Sequence, residues 1–216
     1  MLQLHYYPST AAMVPHIVLE EIGVPFERVL VDRTVDAHKK PDYLRLNPNG
    51  LLPVLVDGGL VLYETAAVTL HLCDRHASTR LAPAVGTDAR SEFYKWLMWL
   101  TNTLQATLIV YFYPHRWVDE GNEAGAAQVK RHAQAKVATL LAQLDAHLAS
   151  HGGPWFMGRD YTALDAYVFT LCRWTRNFSS DRARELPHLG PLLQRMLARQ
   201  AVQRVIANEG LQTPFV

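Results

Sequence analysis

Apolar residues alternate with Gln3 and His5 between Leu2 and Tyr6, a period of two that predicts a β-strand. The period then changes. In "MVPHIVLEEIG", Val14, Ile17, Val18 and Ile22 share one helical face, and Gly23 supplies a stop. A second strand follows in "FERVLVD". Strand, helix and strand within about 30 residues form a βαβ unit, whose two strands are expected to run parallel. After the loop "RTVDAHKKPDYLRLNPNG", the runs "LPVLV" and "LVLYE" flank Asp57, Gly58 and Gly59, the signature of an antiparallel hairpin. Helical spacing returns in "TAAVTLHLCDRH".

The order β-α-β, long loop, β-β-α fits a thioredoxin-like α/β domain over residues 1–77. Pro83 and Gly86 punctuate a segment without either period, so residues 78–88 are expected to be a linker. Residues 89–216 then read as an all-α domain. Phe93, Trp96, Leu97, Leu100, Leu104, Leu108 and Tyr111 recur at spacings of three and four. Val129, Ala133, Val137, Leu140, Leu144 and Leu148 do the same. Within "GRDYTALDAYVF", Thr162 and Asp165 have capping-box spacing, which assigns them to folding rather than to chemistry.

With 49% hydrophobic residues in a chain of 216, a substantial core is available to either one domain or two. Charge narrows the partners. The 21 basic and 20 acidic side chains nearly cancel and form no like-charged block, so neither nucleic acid nor an anionic membrane is indicated. A small ligand is the better default. Cys73 and Cys172 lack metal-ligand spacing and lie in apolar helical runs, as reduced core thiols do. The N-terminus carries no basic stretch followed by an apolar core, and no apolar run approaches membrane-spanning length, so a cytoplasmic protein is expected.

Candidate chemistry begins at "NPNGLLPVLVDGGLVLYETAA". Pro53 opens a strand where proline forfeits a ladder hydrogen bond. A cis Leu52–Pro53 bond resolves the conflict and turns the Leu52 N–H and C=O toward an extended, peptide-like ligand; an edge proline in trans is the plainer alternative. Glu64 and Thr65 stand at a helix start, where unpaired N–H groups and the dipole favour an anion. Thr65 suits a carboxylate and Glu64 an ammonium, the two halves of an amino-acid head group. Helix capping and dipole complementation account for the same pair without a ligand.

The ordered set "NPNGLLPVL", "YETAAVTLHLCD" and "GRDYTALDAYVF" resembles the cytosolic glutathione transferase family along essentially the whole chain. The opening "YYPSTAAMVPHIVLEEIG" is most similar to the bacterial beta class. The resemblance implies that Leu52 and Pro53 meet the cysteinyl backbone of glutathione and that Glu64 and Thr65 bind its γ-glutamyl end. A loop cation, with His38 and Lys39 the candidates alongside Lys40, would meet the glycine carboxylate. It further implies glutathione as cosubstrate, no metal, a homodimer, and a hydrophobic-substrate pocket to which Gln105, Tyr111 and Tyr113 are candidate contributors.

One departure stands out. The beta-class cysteine falls on Ala11 and the histidine of the first long helix on Gln105, so a mixed disulfide at position 11 is impossible. Thr10, the second residue after Pro8, matches the position of the activating hydroxyl in serine-type members. Ser9 and the strand residue Tyr6 are the other candidates, and activation without any side chain stays open. The function implied is conjugation of the glutathione thiolate to small hydrophobic electrophiles. Isomerase, reductase or peroxidase chemistry on the same fold, and a non-catalytic glutathione-binding or interaction module, are the alternatives.

Overall fold

A computed structural model describes every residue, Met1–Val216. It divides into two compact units: Met1–Arg90 together with Met196–Thr213, and Ser91–Arg195 together with Pro214–Val216.

In the first unit, β1 (Leu2–Tyr6), α1 (Met13–Ile22) and β2 (Phe26–Leu30) form the expected βαβ, and β1 and β2 pair in parallel. After α2 (Pro41–Leu44), β3 (Val54–Asp57) and β4 (Leu60–Tyr63) make the hairpin, which Gly58 turns at φ +61°. The sheet order is β2-β1-β3-β4, with β1 and β3 antiparallel. Alternation along the strands sorts two faces. Leu4, Tyr6 and Leu55 lie on one, where Leu4 and Leu55 are wholly buried and Tyr6 packs on His16 of α1. Val54 and Val56 lie on the other and pack with Val31, Tyr43, Leu46 and Leu52 beneath the long loop.

Helix α3 (Thr65–Arg75) packs against α1, whose Met13, Val14, Ile17 and Val18 are buried. Gly23 ends α1 in the left-handed region at φ +76°, a conformation that glycine adopts without steric cost.

The second unit contains most of α4 (Asp88–Trp99), which runs through a π-helical turn, Leu100–Gln105, into α5 (Ala106–Phe112). The apolar stripe seen in the sequence becomes the core, with Phe93, Leu97, Leu100, Leu104 and Leu108 fully buried. Helix α6 (Glu123–His151) is 29 residues long and turns Val137, Leu140, Leu144 and Leu148 inward. The capping box at the start of α7 (Ala163–Arg173) is present. Asp165 Oδ2 accepts from Thr162 N–H at 2.8 Å, and its Oδ1 accepts from Phe156 N–H at 2.7 Å. Asp145 similarly accepts from His188 and Leu189 N–H, both at 2.8 Å, to cap α8 (Leu189–Leu197). The final helix, α9 (Gln200–Asn208), returns to the first unit, where Arg199 pairs with Glu21 and Arg204 with Glu20 of α1. No helix is long and apolar enough to cross a membrane.

Candidate active site

Strand register brings distant motifs to one end of the sheet. Pairing of His5 with Val54 puts the exit of β1 beside Pro53, and pairing of Val54 with Tyr63 puts Glu64 beside both. Residues 8–10, 52–53 and 64–65 therefore share the edge where β1 and β2 present their carboxyl ends. Val31 N–H donates to Tyr6 O at 2.8 Å and closes that edge on the β2 side. Crevices at this end of an open sheet are the usual seat of ligands in α/β domains.

The Leu52–Pro53 peptide is cis. The backbone N–H and C=O of Leu52 take part in no hydrogen bond within the protein. The neighbouring carbonyl is fixed: Leu51 O accepts from Tyr43 Oη at 2.7 Å and from Asn47 Nδ2 at 2.9 Å. Asn47 also shapes the turn before it, accepting from Asn49 N–H on Oδ1 and from Gly50 N–H on its carbonyl, both at 3.0 Å. A side chain on Gly50, which sits at φ +61°, would press on His38 O. Tyr43 and Asn47 are thus orienting groups that sequence reading passed over; the "NPNG" turn was the available signal for Asn47. Burial raises the Tyr43 phenol well above its ordinary value, so it stays a donor.

Glu64 is exposed and adopts φ +72°, ψ +117° just before α3. A non-glycine residue held there costs roughly 1–3 kcal/mol, which the fold supports only where neighbours impose it. The first helical bond of α3 runs from Val68 N–H to Glu64 O, which leaves the N–H groups of Thr65, Ala66 and Ala67 outside the helical ladder. Thr65 is buried and Thr69 Oγ1 donates to its carbonyl at 2.7 Å. An exposed carboxylate next to a row of helix N–H groups has the charge pattern of an amino-acid head group in mirror image.

The "PSTAA" loop is a turn with hydroxyls on it. Ser9 has φ +63°, and its N–H donates to Glu209 Oε2 at 2.9 Å. Thr10 Oγ1 donates to Tyr7 O at 2.7 Å and accepts from Ala12 N–H at 3.4 Å. Ala11 and Ala12 are buried at the start of α1. Tyr6 is only 8% exposed and belongs to the core, whereas Ser9 and Thr10 are both half-buried. Lys39 is exposed and pairs with Asp36 at 3.0 Å. His38 is mostly buried, and that burial, with the Arg33 charge adding to it, holds its imidazole below the ordinary value.

Neither thiol belongs to the site. Burial pushes Cys73 up to about 12 and raises Cys172 further, so both remain protonated.

In the second unit, Gln105 closes the π-helical turn and accepts from Tyr167 Oη at 2.5 Å; Thr101 Oγ1 lies 3.0 Å from the same phenol. Tyr111 stacks on Phe178 with ring centroids 4.1 Å apart and lies under the Lys130 ammonium. Tyr113 stands beneath the Arg116 guanidinium at 4.1 Å. A groove in this unit, about 540 Å³ and lined by Thr107, Val110, Trp117, Val129, His132 and Lys136 among others, includes none of these three residues.

Comparison with known proteins follows the same lines. Residues 8–75 match the model of the glutathione S-transferase N-terminal domain, and residues 111–209 match that of the glutathione S-transferase C-terminal domain. Glutathione S-transferase GST-4.5 of Xanthomonas campestris pv. campestris is 33% identical over 210 residues, 97% of this chain and 100% of that protein. A glutathione transferase homologue from Sulfitobacter, solved with bound glutathione, aligns with a TM-score of 0.87 at 25% identity over 98% of this chain and 99% of its own. The beta-class enzyme of Sphingomonas chungbukensis aligns with a TM-score of 0.82 at 28% identity, over 97% of this chain and 100% of its own.

Proposed function

The chain belongs to the glutathione S-transferase family, and from that premise we propose that it binds glutathione at the carboxyl end of its sheet and transfers the thiolate to small hydrophobic electrophiles. The observation that carries the proposal is the convergence of three differently built groups on one edge. An unpaired Leu52 backbone suits the cysteinyl peptide. Glu64 suits the γ-glutamyl ammonium, and Thr65 with the α3 N-terminus suits its carboxylate. The hydroxyls of Ser9 and Thr10 suit the sulfur. His38 and Lys39, alongside Lys40, are the candidates for the glycine carboxylate.

Thr10 is the preferred activator. Its hydroxyl rotates from Tyr7 O to the sulfur and donates to the thiolate without losing its own proton. The thiol proton passes to solvent; the sulfur then attacks the electrophilic carbon with its lone pair, a C–S bond forms, and the leaving group departs with the bonding electrons. No enzyme-bound covalent intermediate is required, since the nucleophile belongs to the cosubstrate. Ala11 and the protonated Cys73 and Cys172 offer no protein thiolate to compete. Gln105, Tyr111 and Tyr113 remain candidates for shaping the electrophile pocket. The reading extends to a cytoplasmic homodimer, supported by the family and by the two free, buried cysteines.

The test is the ultraviolet difference absorbance of the thiolate of bound glutathione, titrated from about pH 5 to 9, together with turnover of an activated aryl halide. A bound thiol that titrates below its free value, with turnover following the thiolate, supports the proposal. Glutathione that binds but titrates as it does free in solution refutes activation and leaves a glutathione carrier.

A further inference from the structure

Glu209 stands where a carboxylate is least expected. It caps the C-terminal end of α9, where the helix dipole disfavours an anion, and its side chain is completely buried. The helix end is closed by a Schellman motif. Gly210, at φ +62°, donates to Ala207 O, and Leu211 N–H donates to Ile206 O. Both carboxylate oxygens then serve α1 and the turn before it. Oε1 meets His16 Nδ1 at 2.8 Å, on an imidazole that is also completely buried, and Oε2 accepts the Ser9 N–H at 2.9 Å.

One internal bond of the loop, from Thr10 Oγ1 to Tyr7 O at 2.7 Å, uses the hydroxyl that must turn to the sulfur. The bonds from Thr10 N–H to Tyr7 O and from Ala12 N–H to Thr10 Oγ1 are both 3.4 Å, beyond ordinary amide hydrogen-bond lengths. The bond to Glu209 is shorter and charge-assisted. It acts on Ser9, whose φ of +63° is unfavourable for a residue with a Cβ and which directly precedes Thr10. Attachment of α9 to α1 does not account for Glu209, because the surface pairs Arg199–Glu21 and Arg204–Glu20 already join those helices.

We infer that Glu209 is a positioning residue for the reaction: its carboxylate holds Ser9 in the left-handed conformation and thereby aims the Thr10 hydroxyl at the glutathione sulfur. The inference rests on reading the Ser9–Thr10 loop as the thiol activator.

The experiment compares wild-type protein with Glu209→Ala, Glu209→Gln and Arg204→Ala, reading the apparent pKa of bound glutathione, its dissociation constant, kcat and the melting temperature. Glu209→Ala is expected to raise the bound-thiol pKa by about 0.7 unit, as much as loss of the Thr10 hydroxyl itself, and to lower kcat near neutrality about fivefold, with glutathione affinity changed less than about threefold. Glu209→Gln is expected to stay within about 0.3 unit of wild type, because its amide oxygen can accept from Ser9 while its NH2 faces His16. Arg204→Ala removes only a surface tie and leaves the thiol pKa unchanged. If Glu209→Ala lowers the melting temperature and leaves the thiol pKa where it was, Glu209 is a packing residue and the inference fails. Should Glu209→Ala not fold, hydrogen exchange of the Ser9 amide in wild type decides: slow exchange supports the clamp, and exchange at the rate of an open loop overturns it. Wild-type protein whose bound glutathione titrates as free glutathione sinks both this inference and the reading it rests on, a result distinct from an altered melting temperature with an intact thiol shift.

Discussion

Replacing Thr10 with valine keeps the shape of the side chain and removes its hydrogen-bonding oxygen, and the structure sets the size of the effect. A hydroxyl donating to a thiolate contributes about 1.5–3 kcal/mol. In this protein the same hydroxyl already donates to Tyr7 O at 2.7 Å, and giving up a neutral bond of that kind costs about 0.5–1.5 kcal/mol. The difference is about 1 kcal/mol, a little under one pKa unit. Starting from a thiol near 8.5, that moves the thiolate fraction at pH 7 from about 3% to about 15%, so Thr10→Val is expected to reduce thiolate about fivefold. Thiolate absorbance of the bound cosubstrate measures this directly, and kcat with an activated aryl halide should fall in parallel. Thr10→Ser should retain most of the effect. If Thr10→Val shifts the pKa by less than about 0.2 unit, the donor is another group and the rotation away from Tyr7 O does not occur. The parallel Ser9→Ala titration then identifies whether the neighbouring hydroxyl carries the role.

The remaining expectations concern support for the site and for the fold. Tyr43→Phe leaves Leu51 O with a single donor; the loss of about 1 kcal/mol in orienting the adjacent Leu52 should raise KM for glutathione about fivefold with little change in kcat, measured by initial rates. Asp165→Ala strands the N–H groups of Phe156 and Thr162 in a buried setting; a loss of roughly 3 kcal/mol, or a melting temperature lower by about 10 °C, is expected by calorimetry. A thiol-specific reagent at mildly alkaline pH should label neither Cys73 nor Cys172 in the native protein and both after denaturation, with activity intact in the unlabelled form. Burial beside Trp96 and Phe156, with the neighbouring charges of His151 and Lys95 adding to it, holds His147 below its ordinary value. A histidine that resists protonation when folded contributes stability above its unfolded pKa of about 6.5, and that stability is lost as the pH falls below it. The melting temperature should therefore drop between about pH 7 and 5, and less so in His147→Gln; equal slopes would refute the assignment.

Periodicity revealed the strands and long helices because burial in this chain follows it closely: Leu4 and Tyr6 alternate inward, and Phe93, Leu97, Leu100, Leu104 and Leu108 line one helical stripe. The cis bond before Pro53 was legible for a different reason, since a proline opening a strand conflicts with ladder bonding unless the backbone turns. Other features left no local mark. The π-helical turn from Leu100 to Gln105 keeps the apolar spacing of an α-helix, and its altered hydrogen bonding is invisible in composition. Glu209 lies 200 positions from Ser9. In the sequence it is one charged residue before a glycine, indistinguishable from an ordinary solvated helix end. Long-range polar contacts of this kind depend on which helix face meets which loop, and no short pattern encodes that.

Ser9 and Glu64 share a geometry that links fold to chemistry. Each follows a strand end on the same sheet edge, each has a positive φ without being glycine, and each is followed by a threonine near a helix start. Glycine at either position would relieve strain of roughly 1–3 kcal/mol and make the turn easier to form. At position 64 it would also delete a carboxylate that makes no cap bond within the protein. Stability alone therefore gives no reason for glutamate there, whereas an ammonium-bearing ligand does. At position 9 the strain is offset by a buried carboxylate delivered from the far end of the chain. The two turns are alike in cost and unlike in what supports them: one carries an exposed carboxylate that makes no cap bond, and the other is held from within by the buried carboxylate of Glu209.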